Sequence, residues 1–152
     1  AGATRQVIGV YSADMTETFA NVLGGLGAEH AFVVHGSDGM DEATLTGPTR
    51  VSELQAESVS TYDIKPEDFG LETATAEDLA GGEPDENASI TRAILDGETG
   101  PKRDIVLLNS SFALVAGGTA ETLEEGIEVA AKTIDSGAAK EKLERLVEVS
   151  NS

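Results

Sequence analysis

Several residue types that often carry chemistry or span membranes are scarce or missing in this chain. Its 152 residues include no cysteine and no tryptophan, and only two tyrosines and four phenylalanines. Without cysteine, disulfide scaffolds, thiol catalysis and zinc–thiolate sites are excluded. No apolar run approaches the roughly 20 residues that a membrane-spanning helix needs, and no export signal is recognisable at the N-terminus. We therefore expect a soluble, cytoplasmic protein that has no membrane partner.

Positive charge is also scarce. The chain has 28 acidic and 10 basic residues, which gives a formal net charge of −18. Such a field repels nucleic acid and anionic membrane surfaces, so we expect no nucleic-acid partner. The acidic residues are spread along the chain, which indicates a solvated acidic surface. Such a halophile-like surface suits high salt, where charges are screened over about 3 Å at 1 M.

The first part of the chain predicts a strand, a helix and a second strand. Residues 5–11 are rich in β-branched side chains, and apolar residues then recur at helical spacing from Phe19 to Leu26, with Ser12 as a candidate N-cap. Residues 31–34 form the second predicted strand. This order is typical of a βαβ unit with parallel strands. Ligands of such sheets collect beyond the carboxyl ends of the strands.

The middle of the chain predicts two short strands and then irregular backbone. Residues 50–54 and 59–64 alternate between apolar and polar side chains, and we predict that they pair as a hairpin. Residues 65–85 are predicted as loop with at most short helical turns. From Asp85 a helical pattern runs to Gly97.

The C-terminal part predicts helices. The apolar run of residues 104–116 fits a buried strand or a buried helix, and its length favours the helix, with Asp104 as its cap after Pro101. Two amphipathic helices follow, separated at Ser136 and Gly137. The chain is thus predicted as a single α/β domain with a mainly parallel sheet flanked by helices and an all-helical C-terminal tail.

The stretch VVHGSDGMDEATLTGPTRVSEL contains the main candidate site. Asp41 and Glu42 follow Gly36 and Gly39, which let the backbone leave the sheet sharply. Adjacent carboxylates on irregular backbone can face one cavity, where Mg²⁺ accepts such hard oxygen ligands. The alternative is a solvated acidic turn, which chance alone makes common in so acidic a chain. Both interpretations remain open on the residues alone.

Other polar residues have mainly structural interpretations. His35 ends the second strand and either donates to a backbone carbonyl or lines the mouth of a site, the first being more frequent. Thr46 belongs to a tight turn, and Asn109 needs a hydrogen-bond partner if it is buried. Neither the G-x-x-x-x-G-K-[ST] nor the G-x-G-x-x-G phosphate motif occurs in the chain.

Together these stretches resemble the anthranilate phosphoribosyltransferases of tryptophan biosynthesis, within the wider nucleoside-phosphorylase-like phosphoribosyltransferases. The similarity covers essentially the whole chain in order, and HG-x-DG-x-DE followed by TGPT is its specific part. The matching stretches are VIGVYS (7–12), VVHGSDGMDEATLTGPTRVSEL (33–54), PEDFGLE (66–72), LAGGEPDENA (79–88) and LNSSFALVAG (108–117).

The resemblance implies transfer of a phosphoribosyl group from phosphoribosyl pyrophosphate (PRPP) to anthranilate with Mg²⁺ as cofactor. Asp41 and Glu42 fall on the metal-binding acidic pair of that family, and His35, Gly36 and Thr46 become candidates for residues near the substrate. A homodimer is expected for the full-length enzyme. A nucleoside-phosphorylase-like paralogue and a non-catalytic acidic domain are the alternatives.

The resemblance also implies missing parts. The family's N-terminal helical domain, its GTGGD phosphate loop, its Lys-His-Gly-Asn segment and the arginine that orients anthranilate all precede the region matched here. We therefore expect this chain to be the C-terminal part of a longer enzyme, with no catalytic residue of its own and no turnover alone. An exposed sheet edge and an apolar face are expected where the absent segment packs.

Overall fold

A computed structural model describes residues 2–152 as a four-stranded sheet with helices on both faces. In spatial order the strands are β1 (Arg5–Gly9), β2 (His30–Gly36), β3 (Thr49–Gln55) and β4 (Ser58–Ile64). β1 and β2 are parallel, whereas the β2–β3 and β3–β4 pairs are antiparallel. The βαβ start and the hairpin are confirmed, but the sheet is mixed rather than mainly parallel. The chain returns from β2 through a loop without a crossover helix, so β3 must run antiparallel to β2.

Six α-helices and one 3₁₀ turn, at Pro66–Phe69, are the other regular elements within residues 2–152. The run predicted at 104–116 is helical, as its length indicated. Its helix begins at Pro101 with Gly100 as N-cap rather than Asp104, because proline is favoured at the first helical position. Likewise Ala13 rather than Ser12 is the N-cap of the first helix. The helices are α1 (Asp14–Gly25), α2 (Ala76–Leu79), α3 (Pro84–Leu95), α4 (Pro101–Gly117), α5 (Leu123–Asp135) and α6 (Ala138–Ser150).

β2 is buried on both of its faces. Phe32 and Val34 belong to the core between the sheet and α4, where the rings of Phe32 and Phe112 meet edge to face at 5.2 Å. Ala31 and Val33 belong to the core beneath α1. Because successive side chains of a strand point to opposite faces, burial on both sides explains the uninterrupted AFVV run.

α1 faces the sheet with only part of the apolar stripe that predicted it. Thr16, Ala20 and Leu23 are buried, whereas Val22 and Leu26 are 54% and 79% exposed. The small Ala20 lets the helix approach the strands closely, which turns part of the apolar stripe outward. β1 and β4 are the two edge strands of the sheet.

α4 is the central helix of the second layer. Gly126 of α5 packs so closely on α4 that an added Cβ would lie 2.8 Å from the Cβ of Ser111. The buried Arg103 guanidinium pairs with Asp135 of α5 at 2.7 Å. α3 and α6 pack around this helix pair through a small apolar cluster. Within residues 2–152, no helix has the length and apolarity that a bilayer crossing requires.

Candidate functional site

The loop of residues 37–48 leaves the carboxyl end of β2 and closes on itself at its base. The Gly36 N–H donates to the Met40 carbonyl and the Ser37 N–H to the Pro48 carbonyl, each over 2.9 Å. The loop also reaches the carboxyl end of β1, the neighbouring parallel strand. It therefore occupies the edge of the sheet at which ligands of α/β proteins collect.

Asp38 holds this loop together through its carboxylate. One oxygen, Oδ2, accepts the hydroxyl hydrogens of Thr44 and Thr46 over 2.6 and 2.8 Å, and Oδ1 accepts the Met40 N–H over 3.1 Å. Partial burial opposes ionisation, but these hydrogen bonds outweigh it and lower the pKa of Asp38. Sequence reasoning missed this role, although an Asp-Gly turn followed by Thr-x-Thr is a pattern in which side chains bond within a loop.

Asp41 and Glu42 are exposed at the outer side of the same loop. Among residues 2–152, neither side chain has a hydrogen-bond or ion-pair partner, and no group of three or more His, Asp or Glu side chains could enclose a metal. The pair therefore offers two free carboxylates rather than a complete cage. That donor set fits Mg²⁺, which is usually held by one or two carboxylates together with waters and substrate phosphates.

The backbone beneath the acidic pair is tightly packed on both sides. The Asp41 carbonyl lies against Gly9 at the end of β1, where an added Cβ would sit 1.5 Å from the carbonyl oxygen. Ala43, on the other side, is fully buried, with 0% of its surface exposed. The two exposed side chains thus project from a backbone that has little freedom to move.

Asn109 of α4 binds both polar backbone groups of Ala43. Its Oδ1 accepts the Ala43 N–H over 2.9 Å, and its Nδ2 donates to the Ala43 carbonyl over 2.8 Å. Nδ2 also donates to the Ile105 carbonyl over 3.0 Å. A partner was predicted for Asn109 if it is buried; it is half-buried, and its amide is fully paired with backbone groups for which the sequence held no signal.

The structure places the remaining candidates close to this loop. His35 Nδ1 donates to the Val10 carbonyl over 2.8 Å, which is the structural role predicted for it. His35 also lines a shallow depression of about 240 Å³ together with Ser37. Gly36 is buried, and an added Cβ would lie 2.6 Å from Asp38 Oδ1. The Thr46 hydroxyl is bound to Asp38.

A mixed α/β sheet with an acidic loop over the carboxyl ends of its parallel strands is an arrangement typical of ligand-binding α/β domains. The chain belongs to the family described as "Glycosyl transferase family, a/b domain", whose model matches residues 1–140.

Curated relatives and solved structures support the same assignment. The chain is 52% identical over 147 residues to an anthranilate phosphoribosyltransferase of Moorella thermoacetica, covering 97% of this chain and 43% of the relative. The solved anthranilate phosphoribosyltransferase of Thermus thermophilus superposes with a TM-score of 0.86 at 39% identity, covering 95% of this chain and 42% of that one. The resemblance seen in the motifs is confirmed.

The anthranilate phosphoribosyltransferase of Saccharomyces cerevisiae has been solved with bound ligands. Its complex with PRPP and Mg matches with a TM-score of 0.83 at 29% identity, and its complex with 4-fluoroanthranilate with 0.83 at 28%. Each match covers 95% of this chain and 42% of the yeast chain. The chain therefore spans less than half the length of the relatives that it matches.

Proposed function

We propose that this chain forms part of an anthranilate phosphoribosyltransferase, which transfers a phosphoribosyl group from PRPP to anthranilate with Mg²⁺ and releases pyrophosphate. The identity of 52% to the Moorella enzyme and the PRPP and Mg complex of the yeast relative support this proposal. Because the chain spans 43% of the Moorella relative, we further propose that it is one part of a longer catalytic unit and has no turnover alone. The cytoplasmic location and homodimeric assembly implied by the resemblance belong to the same proposal.

One observation carries the metal role of Asp41 and Glu42: both side chains are exposed, while the backbone that bears them is fixed. A solvated turn needs no such support, since water satisfies its polar groups and mobility costs it nothing. Here the Asp41 carbonyl is seated against Gly9, and Ala43 is bound by Asn109. Carboxylates on a fixed backbone lose less freedom when they bind a ligand than carboxylates on a mobile loop do, which favours binding.

The charge of the chain supports a bridging cation. With a net charge of −18, the protein repels a pyrophosphate group unless a cation lies between them. When bound, Mg²⁺ would neutralise the negative charge that develops on the departing pyrophosphate. Asp41 and Glu42 would hold the ion at the edge of the sheet, and Asp38 keeps the loop that carries them in shape through Thr44 and Thr46.

Calorimetry with PRPP in the presence and absence of Mg²⁺ tests this proposal. We expect Mg²⁺-dependent binding of PRPP, and we expect the Asp41→Asn, Glu42→Gln double variant to weaken it at least about tenfold, as the loss of one charged contact worth ~1.4 kcal/mol would. Glu83→Gln is the control, because it removes an exposed carboxylate that lies outside the loop, at the start of α3. Since the relatives are longer, the assay is repeated with the unmatched part of the Moorella enzyme co-expressed, where formation of phosphoribosyl anthranilate is also measured.

Either form of this experiment can refute part of the proposal. PRPP binding that ignores Mg²⁺, or that survives the double variant unchanged in the co-expressed complex, would refute the role of the acidic pair. Product formation by the 152-residue chain alone would refute the proposal that it is an incomplete catalytic unit.

A further inference from the structure

We infer that Asn109 is a positioning residue for the acidic pair: its side-chain amide sets the backbone at Ala43 and thereby the direction of Asp41 and Glu42. The inference rests on the proposed metal role of that pair. Asn109 itself touches neither carboxylate and acts through the backbone next to Glu42.

The hydrogen bonds of Asn109 leave its amide a single orientation. Nδ2 donates to the carbonyls of Ala43 and Ile105, so both of its hydrogens are used, and Oδ1 must accept the Ala43 N–H. Ala43 is fully buried, so no water replaces these bonds if the amide is removed. Contacts to both the N–H and the carbonyl of one residue fix the backbone on either side of it.

The position of Asn109 in its helix argues that it serves this contact. It lies inside α4, in an apolar run where leucine or alanine would favour the helix more. α4 is itself immobilised by the Arg103–Asp135 pair and by the close approach of Gly126. A rigid helix therefore reaches one side of the acidic pair through Asn109, while β1 supports the other side at Gly9.

Hydrogen exchange in the ligand-free chain tests the positioning without any metal. We expect Asn109→Leu, which is similar in size but removes all three bonds, to speed exchange of the Ala43 amide about 100-fold, with a few-fold effect at most in the interior of β2. Ser110→Ala is the matched control on the same helix, and we expect it to change neither the exchange of the Ala43 amide nor the exchange in the interior of β2. Unchanged exchange at Ala43 in Asn109→Leu would overturn the inference.

Asn109→Asp makes the exchange of the Ala43 amide depend on pH, an effect that a residue with only a packing role would not produce. The introduced carboxylate accepts the Ala43 N–H but repels the Ala43 carbonyl, whereas its protonated form again supplies one acceptor and one donor. Partial burial raises the pKa of such a carboxyl, so protection of the Ala43 amide should return as the pH falls from about 7 to about 5. Protection that does not depend on pH in this variant would count against the inference. If Asn109→Leu does not fold, the pH dependence of Asn109→Asp decides whether the inference holds.

Metal affinity links the positioning to the site. The probe is Mn²⁺, whose binding is followed spectroscopically with PRPP present, in the complex with the co-expressed part of the Moorella enzyme. Asn109→Leu should weaken Mn²⁺ binding about tenfold, and Ser110→Ala should leave it unchanged. Faster exchange with unaltered Mn²⁺ affinity would overturn the inference. Absence of Mn²⁺ binding by the unsubstituted protein would instead refute the proposed function, and the exchange result would still decide whether Asn109 holds the backbone.

Discussion

Thr44 donates its hydroxyl hydrogen to the Asp38 carboxylate over 2.6 Å, joining the outgoing and returning halves of the loop that carries Asp41 and Glu42. The same carboxylate oxygen accepts from Thr46. A single side chain at the start of the loop therefore determines the path of its second half.

Asp38→Asn should loosen this loop and lower the free energy of unfolding. We expect a loss of about 1 kcal/mol, less than is usual for hydrogen bonds to a charged group, because Asp38 is only slightly buried and water screens its charge. The lowered pKa means that the ionised form stabilises the fold above the ordinary aspartate value of 3.8, and that this contribution is lost as the pH falls through the lower folded value. Urea unfolding at pH 7 and at pH 3 measures both effects. If the difference in unfolding free energy between the parent chain and Asp38→Asn grows toward low pH, this prediction is wrong.

Gly9→Ala should displace the loop directly. The new Cβ would overlap the Asp41 carbonyl oxygen, from which an ideal Cβ lies only 1.5 Å away, so backbone must shift. We expect a loss of about 1–3 kcal/mol in stability and weaker Mg²⁺-dependent PRPP binding. Gly25→Ala in α1, where a Cβ meets no atom within 4 Å, is the control, with unchanged or slightly raised stability. Equal behaviour of the two variants would show that the contact at Gly9 is unimportant.

Tyr62 should make stability depend on alkaline pH. Its hydroxyl donates to Glu53 over 3.0 Å, and the other Glu53 oxygen lies 2.9 Å from Nε2 of the buried His30. Burial and the negative charge of Glu53 raise the pKa of Tyr62. The neutral tyrosine therefore stabilises the fold fully below the ordinary pKa of about 10, and this contribution is lost as the pH rises from there toward the folded value.

Unfolding of the parent chain and of Tyr62→Phe between about pH 9 and pH 11.5 measures this effect. The parent should lose up to about 1.4 kcal/mol per pH unit more than the variant does above pH 10. Parallel curves for the two proteins would mean that ionisation of Tyr62 is not coupled to folding.

Substitutions in the turn between β3 and β4 should raise the stability of the fold. Ala56 and Glu57 have φ values of 49° and 64°, in the left-handed region that costs most residues about 1 kcal/mol each. Two-residue hairpins favour Asn-Gly at these positions, so the Ala56→Asn, Glu57→Gly double variant should raise stability by about 1 kcal/mol. Ser60→Gly, inside β4, is the opposite control and should lower stability by about 0.5–1 kcal/mol. Thermal unfolding midpoints decide between these outcomes.

Salt should stabilise the chain. Because 28 acidic residues face 10 basic ones, the folded state concentrates negative charge that the unfolded state disperses. Screening at high ionic strength reduces this repulsion, so the free energy of unfolding should rise between about 0.1 and 3 M KCl. Flat or falling stability in KCl would exclude a surface adapted to high salt.

Local patterns predicted those features that depend on neighbouring residues. The βαβ start, the β3–β4 hairpin and the C-terminal helices follow from periodicity and turn residues that lie within one element. The buried face of α1 was not predictable in this way, because Ala20 and Thr16 face the sheet while Val22 and Leu26 are more apolar. The direction of β3 relative to β2 also escaped prediction, since the antiparallel return depends on the path of a loop without regular structure.

For the candidate site, the sequence by itself determined the family, through a specific motif, and the residues proposed for the chemistry, which are an acidic pair beside two glycines. Only the tertiary structure decided that Asp38 organises the loop and that Asn109 holds Ala43, 66 positions away along the chain. The physical reason is that the hydrogen bonds of Asn109 form only once α4 has packed on the sheet, and those of Asp38 form only once the loop has folded back on itself. Local residue pattern specifies helices and strands, whereas the packing between them brings distant polar groups within reach of each other.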